Sequence, residues 1–377
     1  MRTIVIIGGK LQGVEACYLA KKAGIRAILI DKNPNALASL MADEFINSDI
    51  FEPSDDLIEL LKRSDLILPA LENDKVLDYI ENIGHKEGLN IAFDFNAYRI
   101  SSSKILSDKL FSSYHIPAPV YYPESNPPYI LKPNNSSGSE GVRLVKTREE
   151  LAIILKHLSC PEEMVVQEYL EGDSYSIEVI GKPGFYKTYE ITQIHTDEQY
   201  DCCRVTTPCD IEDSIKEELR QIAQKLAQAV NLNGIMDVEV IMSKGIPKVL
   251  EIDARIPSQT PTAVYHTTGA NLIDELWHLF CEGILPYRKL NENRYTIYEH
   301  LYVINGMIKD VGEHYISIRK PLSHYKGYWG ADEAITDFKP GDKELVGTFI
   351  YNGNTLEEVI QKRSRVREEL KICIGRN

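Results

Sequence analysis

Residues 234–263 read GIMDVEVIMSKGIPKVLEIDARIPSQTPTA and hold the densest run of chemically capable side chains in the chain. Two β-rich runs flank SKGIP, which predicts a hairpin. That hairpin sets Glu239 and Glu251 on paired strands, and Asp253 shares their face because alternate strand residues point the same way. Hard carboxylate oxygens gathered at one spot suit Mg²⁺, which is held by a few carboxylates together with phosphate oxygens and water. The rival reading is a solvated acidic strand face. The flanking residues are apolar, however, so the carboxylates lie on a half-buried sheet, where an unpaired charge is costly. Arg255 follows two residues later and adds a cation suited to a carboxylate or to a phosphate in transfer.

Two further segments fit a nucleotide. In YILKPNNSSGSEGVRLV (129–145) small residues link two strands, and such a loop can cover phosphates with its backbone N–H groups. Lys132 stands before the loop and could meet the same phosphates. No G-K-[ST] follows, so this is not a Walker loop, and a flexible Ser/Gly hairpin remains the plain alternative. In MVVQEYLEGDSYSIEV (164–179) a strand runs into E-Y-L-E-G. Its backbone around Tyr169 and Leu170 could pair with an adenine edge, with Glu168 and Asp173 placed for the amino group and the ribose hydroxyls. An ordinary strand and turn is the rival there.

The elements that must position these residues read as α/β. TIVII (3–7), GVEACYLAKKAG (13–24) and RAILI (26–30) form a strand–helix–strand unit, which favours a parallel sheet. SDLILPALE (64–72) and NIAFDF (90–95) read as further strands with a helix between them, so a first domain is expected over 1–97. A helix over 101–115 and a proline-rich crossing lead into a small α+β unit, giving a second domain over 98–180. PYILKP, GVRLVK, MVVQEYL and YSIEVIG are its expected strands. The rest, 181–377, holds an amphipathic helix over 211–232, the acidic hairpin, a helix over 271–283, short strands after about 295 and a charged closing helix.

Composition narrows the function. The chain has 377 residues, 43% hydrophobic and 26% charged, which is ordinary globular composition. A formal net charge of −14 argues against nucleic acid and anionic membranes as partners, since phosphate backbones need clustered Lys and Arg. One local basic pocket still suffices for a nucleotide. The 7 cysteines include no C-x-x-C pair, which argues against a thiolate zinc site. An odd count without a secretory pattern suits a reducing compartment, so a cytoplasmic protein is expected.

The N-terminal IVIIGGKLQGVEA starts like a dinucleotide fingerprint, but Lys10 stands where the second glycine of G-x-G-x-x-G belongs. The order of the other motifs points elsewhere. Lys104, the Lys132 loop, EYLEGD and E…E-x-D-x-R occur in succession, and this order resembles the ATP-grasp superfamily across essentially the whole chain. GGKLQG, IDKNP, FDFNAYRIS, GIMDVE, IHTDEQYDCCRVTTP and EIDARIPSQTPTAVY further resemble the carboxylate–amine ligases of pyrrolysine biosynthesis. One departure is visible: the third metal position is usually Asn in the superfamily and is Asp253 here, still a ligand.

The resemblance implies an ATP-grasp fold with an N-terminal Rossmann-like domain, a small lid and a C-terminal antiparallel-sheet domain. It also implies an activity, the joining of (3R)-3-methyl-D-ornithine to the ε-amine of L-lysine through an acylphosphate, with ATP and two Mg²⁺ ions. Lys10, Asp31, Lys104, Lys132, Ser136, Ser137, Gly138, Ser139 and Gly141 are then expected at ATP, beside Glu168, Tyr169, Leu170 and Asp173. Glu239, Glu251 and Asp253 would hold the metal, and Arg255 and Lys132 would serve the chemistry. Substrate ammonium groups need carboxylates, for which Glu72, Glu178, Asp201 and Asp237 are the candidates. Leu11 and Gln12 are expected at the lysine, and Ser258, Gln259 and Thr260 at the ornithine end. His195 lies in a family-like loop, where a structural role is the simpler reading. Similar ligases are often homodimers. Three rivals stand beside this one: another ATP-grasp enzyme (an amino-acid ligase or a purine-pathway carboxylase), an NAD-dependent oxidoreductase, and a non-catalytic nucleotide-binding regulator.

Overall fold

The computed structural model describes residues 1–136, 138–286 and 294–374; Ser137, one of the expected ATP contacts, lies outside the described residues. The chain opens with β1 (Thr3–Ile7), α1 (Leu11–Lys22), β2 (Arg26–Asp31), β3 (Glu44–Asn47), α2 (Asp55–Arg63), β4 (Leu66–Pro69) and α3 (Asp74–Glu87). The strands form a parallel sheet in the order β3-β2-β1-β4. Helices cover both faces of such a sheet, which is why Ile4, Val5, Ile6 and Ile28 are all buried. NIAFDF contributes less than the strand expected of it, a single bridge from Ile91 to Ile67. Asp94 ends it by accepting the Ala97 N–H and so capping α4 (Phe95–Ser101). Ser103 caps α5 (Lys104–Ser113) in the same way.

The small unit has β5 (Tyr129–Pro133), β6 (Arg143–Val145), α6 (Arg148–His157) and β7 (Met164–Glu168), with its sheet in the order β6-β5-β7. Tyr129, Leu131, Val145 and Leu151 form its core. The remaining elements are β8 (Ser174–Lys182), β9 (Phe185–Thr188), β10 (Thr192–Thr196), β11 (Cys202–Thr207), α7 (Asp213–Ala229), β12 (Gly234–Ser243), β13 (Ile246–Asp253), α8 (Thr260–Thr268), α9 (Leu272–Trp277), β14 (Tyr295–Ile304), β15 (Met307–Asp310), α10 (Glu313–Ser317), β16 (Ser323–Lys326), β17 (Glu333–Thr336), β18 (Glu344–Gly353) and α11 (Leu356–Ile374). They build an 11-stranded sheet along the path β13-β12-β8-β10-β11-β14-β18-β17-β16, with β9 on β8 and β15 on β14.

Two further features differ from the sequence reading. β8, the YSIEVIG strand grouped with the small unit, pairs with β12 and β10 instead. Its Tyr175, Ile177 and Val179 pack with Leu219, Ile222 and Ala223 of α7, an apolar face the small unit does not offer. The segment after 295 is also more regular than expected, since β14 and β18 have 10 residues each and pair along their whole length. No helix among the described residues is long and apolar enough to cross a membrane.

The helix after the glycine turn ties the parallel sheet to the large one. Ala16 and Leu19 of α1 share a core with Val264, Leu272 and Leu276. The Tyr18 hydroxyl donates to Glu333 Oε2 at 2.7 Å and lies 2.6 Å from His266 Nε2. Lys22 pairs with the same carboxylate, and His324 Nε2 lies 2.5 Å from it. Burial alone would raise the Glu333 pKa, but hydrogen bonds from His324, Lys22 and Tyr18 hold it well below the usual carboxylate range. A depressed folded-state pKa contributes stability above the ordinary value and loses it as pH falls through the folded one. Glu333→Gln is therefore expected to cost about 3 kcal/mol near pH 7, the scale of unpairing a buried charge network. Urea unfolding would read this deficit, and the deficit should shrink as pH falls below the ordinary value of 4.5. An unchanged unfolding midpoint at pH 7 would contradict the network's role.

Candidate functional site

The acidic hairpin and its neighbour make a three-strand ladder. Glu239 faces Glu251 across β12 and β13, and Asp237 faces Asp253. On the other side of β12, β8 sets Ser176 opposite Glu239 and Glu178 opposite Asp237. Cross-strand partners share a face, so both rows of carboxylates look the same way. Arg255 lies over the second row. Its Nη2 reaches Asp253 at 2.9 Å, its Nη1 reaches Asp237 at 3.4 Å, and its Nε donates to Glu72 Oε1 at 2.7 Å. Withdrawal from water raises the pKa values of Asp237, Glu239 and Asp253, and neighbouring carboxylates add to it; Arg255 opposes the shift without cancelling it.

A carboxylate group short of positive charge fits divalent cations. Mg²⁺ takes one or two protein carboxylates and completes its shell from phosphates and water, so Glu239, Glu251 and Asp253 need not meet at a point. Among the described residues, the group that does bring its ligand atoms within 4.8 Å of one another is Asp197, Asp201 and His314. Those atoms already have protein partners. Gly312 N–H donates to Asp197 Oδ2 at 3.0 Å, and His314 N–H donates to Asp201 Oδ2 at 2.9 Å, with the His314 ring Nδ1 at 2.5 Å. The group anchors the β10–β11 turn to α10. Asp201 does line the cleft, but this oxygen serves α10 rather than a substrate ammonium.

The lid faces the ladder with its lysines. Lys132 is buried on β5, where withdrawal from water lowers its pKa and Glu251 opposes that shift. Lys104 Nζ donates to the Ser136 carbonyl and lies 3.6 Å from Glu251 Oε2. The Ser/Gly loop turns on positive φ at Gly138, Ser139 and Gly141. A Cβ on Gly141 would come within 2.9 Å of Pro133, so the turn requires glycine there. Ser139 Oγ donates to the Tyr200 carbonyl at 2.7 Å, which brings the loop against the β10–β11 turn.

A cavity of about 330 Å³ lies between lid and ladder. Lys104, Lys132, Ser136, Gly138, Ser139, Tyr169 and Leu170 line its lid side, and Asp237, Glu239, Glu251, Asp253, Arg255, Ser258, Gln259 and Thr260 line its floor. Glu168 and Asp173 are absent from this lining. The Glu168 carboxylate turns away, taking the Val120 N–H at 2.8 Å and pairing with Lys248 of β13, which links the small sheet to the large one. Asp173 is exposed beside the cavity. Glu178 sits beneath it at 0% exposure, its carboxyl pushed up to about 7 by burial, which the Thr260 hydroxyl partly offsets.

A second chamber of about 1210 Å³ opens at the carboxyl ends of β1 and β4, the switch point where ligands bind in parallel sheets. Lys10, Leu11, Gln12, Asp31 and Glu72 line it, and it shares Gly138, Ser139, Tyr200, Arg255, Ser258 and Glu313 with the first. Lys10 and Asp31, expected with the lid lysines at ATP, thus face a different space. Asp31 organises the turn itself, accepting the N–H groups of Gly9 at 2.6 Å and Asn33 at 2.7 Å. The glycines serve packing, since a Cβ on Gly13 would stand 2.1 Å from the Gly8 carbonyl. Gln12 Nε2 donates to Glu72 Oε1 at 2.6 Å, the same oxygen that Arg255 holds. His195 stays outside both spaces; burial, then Arg204, lowers its pKa to about 4, and Nε2 lies 3.1 Å from Thr206 Oγ1. It is structural.

Three residues that the sequence reading passed over belong to the site. Glu313 starts α10 and lines both chambers. Burial raises its pKa, and the nearby polar side chains of Ser258 and Gln259 oppose this. Tyr200 meets the lid loop, and Cys202 lines the smaller cavity. Glu313 carries no local pattern, and IHTDEQYDCCRVTTP holds Tyr200 and Cys202 without singling out either, because each meets the site from a distant segment.

Residues 101–259 match the ATP-grasp domain family. The chain is 40% identical over 376 residues to the curated 3-methyl-D-ornithine–L-lysine ligase of Methanosarcina barkeri, covering 100% of this chain and 99% of that one. The enzyme of the same name from Methanosarcina mazei is also 40% identical, with 100% and 97% covered. Among solved structures, the biotin carboxylase–β-γ-ATP complex from Campylobacter jejuni superposes with a TM-score of 0.74 at 14% identity, covering 100% and 95% of the two chains. N5-carboxyaminoimidazole ribonucleotide synthetase from Thermotoga maritima gives 0.68 at 21% identity, with 98% of each chain covered. These two share the fold. The chain belongs to the family of the 3-methyl-D-ornithine–L-lysine ligases, ATP-dependent carbon–nitrogen ligases built on the ATP-grasp fold.

Proposed function

We propose that this chain joins the carboxyl group of (3R)-3-methyl-D-ornithine to the ε-amine of L-lysine through an acylphosphate, at the expense of ATP. The observation that carries the reading is the meeting of two chambers at Arg255, directly over the carboxylate ladder. The smaller chamber offers phosphate-binding lysines and metal-binding carboxylates. The larger offers room for a second amino acid. Glu72, Glu178, Asp237, Glu239, Glu251 and Asp253 outnumber the cations Arg255, Lys104 and Lys132 around the junction, an imbalance that suits substrates carrying extra ammonium groups.

In this reading Lys104 and Lys132 neutralise ATP phosphates, and backbone N–H groups of Ser136 and of residues 138–141 close over them. Two Mg²⁺ ions held by Glu239, Glu251 and Asp253 would supply Lewis-acid stabilisation of the γ-phosphate charge. Arg255 steers the ornithine carboxylate, one oxygen of which attacks the γ-phosphorus as the bond to the bridging oxygen breaks and ADP leaves. The same guanidinium then faces the acylphosphate. The lysine enters beside Leu11, Gln12 and Glu72, and its free amine attacks the acyl carbon. The carbon–oxygen bond to phosphate breaks, the nitrogen gives up a proton that the departing phosphate takes, and an isopeptide and hydrogen phosphate remain. Acylphosphates hydrolyse, so the Ser139–Tyr200 contact serves by closing the lid against water.

Purified protein with MgATP should release phosphate only when 3-methyl-D-ornithine (or D-ornithine) and L-lysine are both present. Release with bicarbonate in place of the amino acids would point to a carboxylase. Glu251→Gln should lower that rate by about 100-fold or more, the scale of losing one charge-stabilising contact, while circular dichroism stays native. A near-normal rate would remove Glu251 from the metal site. For the lid, Lys132→Ala should weaken calorimetric ATP binding much more than L-lysine binding; equal losses would count against a phosphate role.

A further inference from the structure

The loop of residues 255–260 carries the part of the smaller chamber's floor beyond the strands, and its shape is one the backbone does not adopt unaided. Gln259 has φ 73° and ψ −59°. The Thr260 N–H closes onto the Ser258 carbonyl at 2.9 Å, completing a γ-turn of the strained kind. Such a conformation persists only where its surroundings over-determine it.

The surroundings can be named. Gln259 is 2% exposed, and both ends of its amide meet one residue. The Cys202 thiol donates to Gln259 Oε1 at 2.9 Å, and Gln259 Nε2 donates to the Cys202 carbonyl at 3.4 Å. The thiol's other acceptor, the Arg204 carbonyl, is more distant at 3.8 Å. Cys202 is itself fixed. It opens β11 immediately after Asp201, which the backbone and ring of His314 pin to α10. Gly312 permits that approach, since a Cβ there would lie 2.3 Å from Asp201 Oδ2. On the far side of the turn, Glu15 of α1 accepts the Thr262 N–H at 2.6 Å and fixes the start of α8. The Cys202 thiol is withdrawn from water and its pKa lies well above the ordinary value, so it stays a donor rather than a nucleophile.

Gln259 and Thr260 line the smaller chamber and not the larger. We infer that Cys202 is a positioning residue that, through Gln259, holds the strained turn in the shape that receives the amino acid whose carboxylate is activated. The inference rests on the proposed reaction for the identity of that amino acid.

Steady-state kinetics of Cys202→Ala, Cys202→Ser and Gln259→Ala test it. Removing the thiol leaves the buried Gln259 Oε1 without its donor, so Cys202→Ala should raise KM for 3-methyl-D-ornithine about 10-fold. KM for ATP and for L-lysine should stay within about twofold, and Cys202→Ser, which keeps a donor, should recover part of the loss. Gln259→Ala should show the same selective rise, and adding Cys202→Ala to it should change little further, because the two residues act as one unit. Equal shifts in all three KM values, no shift at all, or identical behaviour of the Ala and Ser variants would each overturn the inference. Calorimetric titration of both amino acids into protein holding a non-hydrolysable ATP analogue separates the two levels. Wild-type protein that binds neither amino acid overturns the reaction and the inference together. Wild-type and Cys202→Ala protein binding the ornithine equally well overturns the inference alone.

Discussion

The structure is organised around carboxylates that a β-sheet holds together without enough positive charge beside them. Glu178, Asp237 and Asp253 stand in one row across three strands, and Glu239 and Glu251 stand in the next. Arg255 lies directly over the first row and is shared with Glu72, and Lys104 stands beside Glu251 in the second. Like charges at this spacing repel, and withdrawal from water strengthens the repulsion. The arrangement is stable only if protons, metal ions or cationic ligands complete it. The lid lysines, the second chamber and the loop after Arg255 follow from that need: each brings charge, or a place for charge, to the ladder.

The same constraint explains the N-terminal turn. A dinucleotide site would use the glycines to bring backbone close to a pyrophosphate and an acidic residue to hold a ribose. Here the glycines let α1 approach β1, and both oxygens of Asp31 face the turn's own N–H groups. Lys10 lines the wider chamber from the turn. Gln12 meets Glu72, and Glu72 meets Arg255, so the parallel sheet contributes to the charge balance of a site whose carboxylates belong to another sheet.

What could be read in the sequence was local. The acidic hairpin was legible because period-2 alternation and a Lys-Gly turn set its register, and Glu239 does face Glu251. The glycine turn, the amphipathic α7 and the lid strands β5, β6 and β7 were legible for similar reasons. What could not be read was where strands find partners and where polar side chains find theirs. YSIEVIG has the same pattern in a small sheet or a large one, and only the apolar face of α7 decides. Glu168 sits in a motif that suits a nucleotide, yet Lys248, distant in sequence, claims its carboxylate. Glu313 and Glu15 carry no motif, the segment IHTDEQYDCCRVTTP does not single out Cys202, and the strained turn at Gln259 that gathers them is visible only in three dimensions.

The central claim is that the carboxylate ladder and Arg255 activate a carboxyl group by phosphorylation before an amine attacks it. The most direct measurement uses 3-methyl-D-ornithine labelled with oxygen-18 in its carboxylate, turned over with MgATP and L-lysine. The account expects one labelled oxygen in each phosphate released, because the bond that breaks in the second step joins the acyl carbon to that oxygen. Unlabelled phosphate, formed while the isopeptide accumulates, would contradict it.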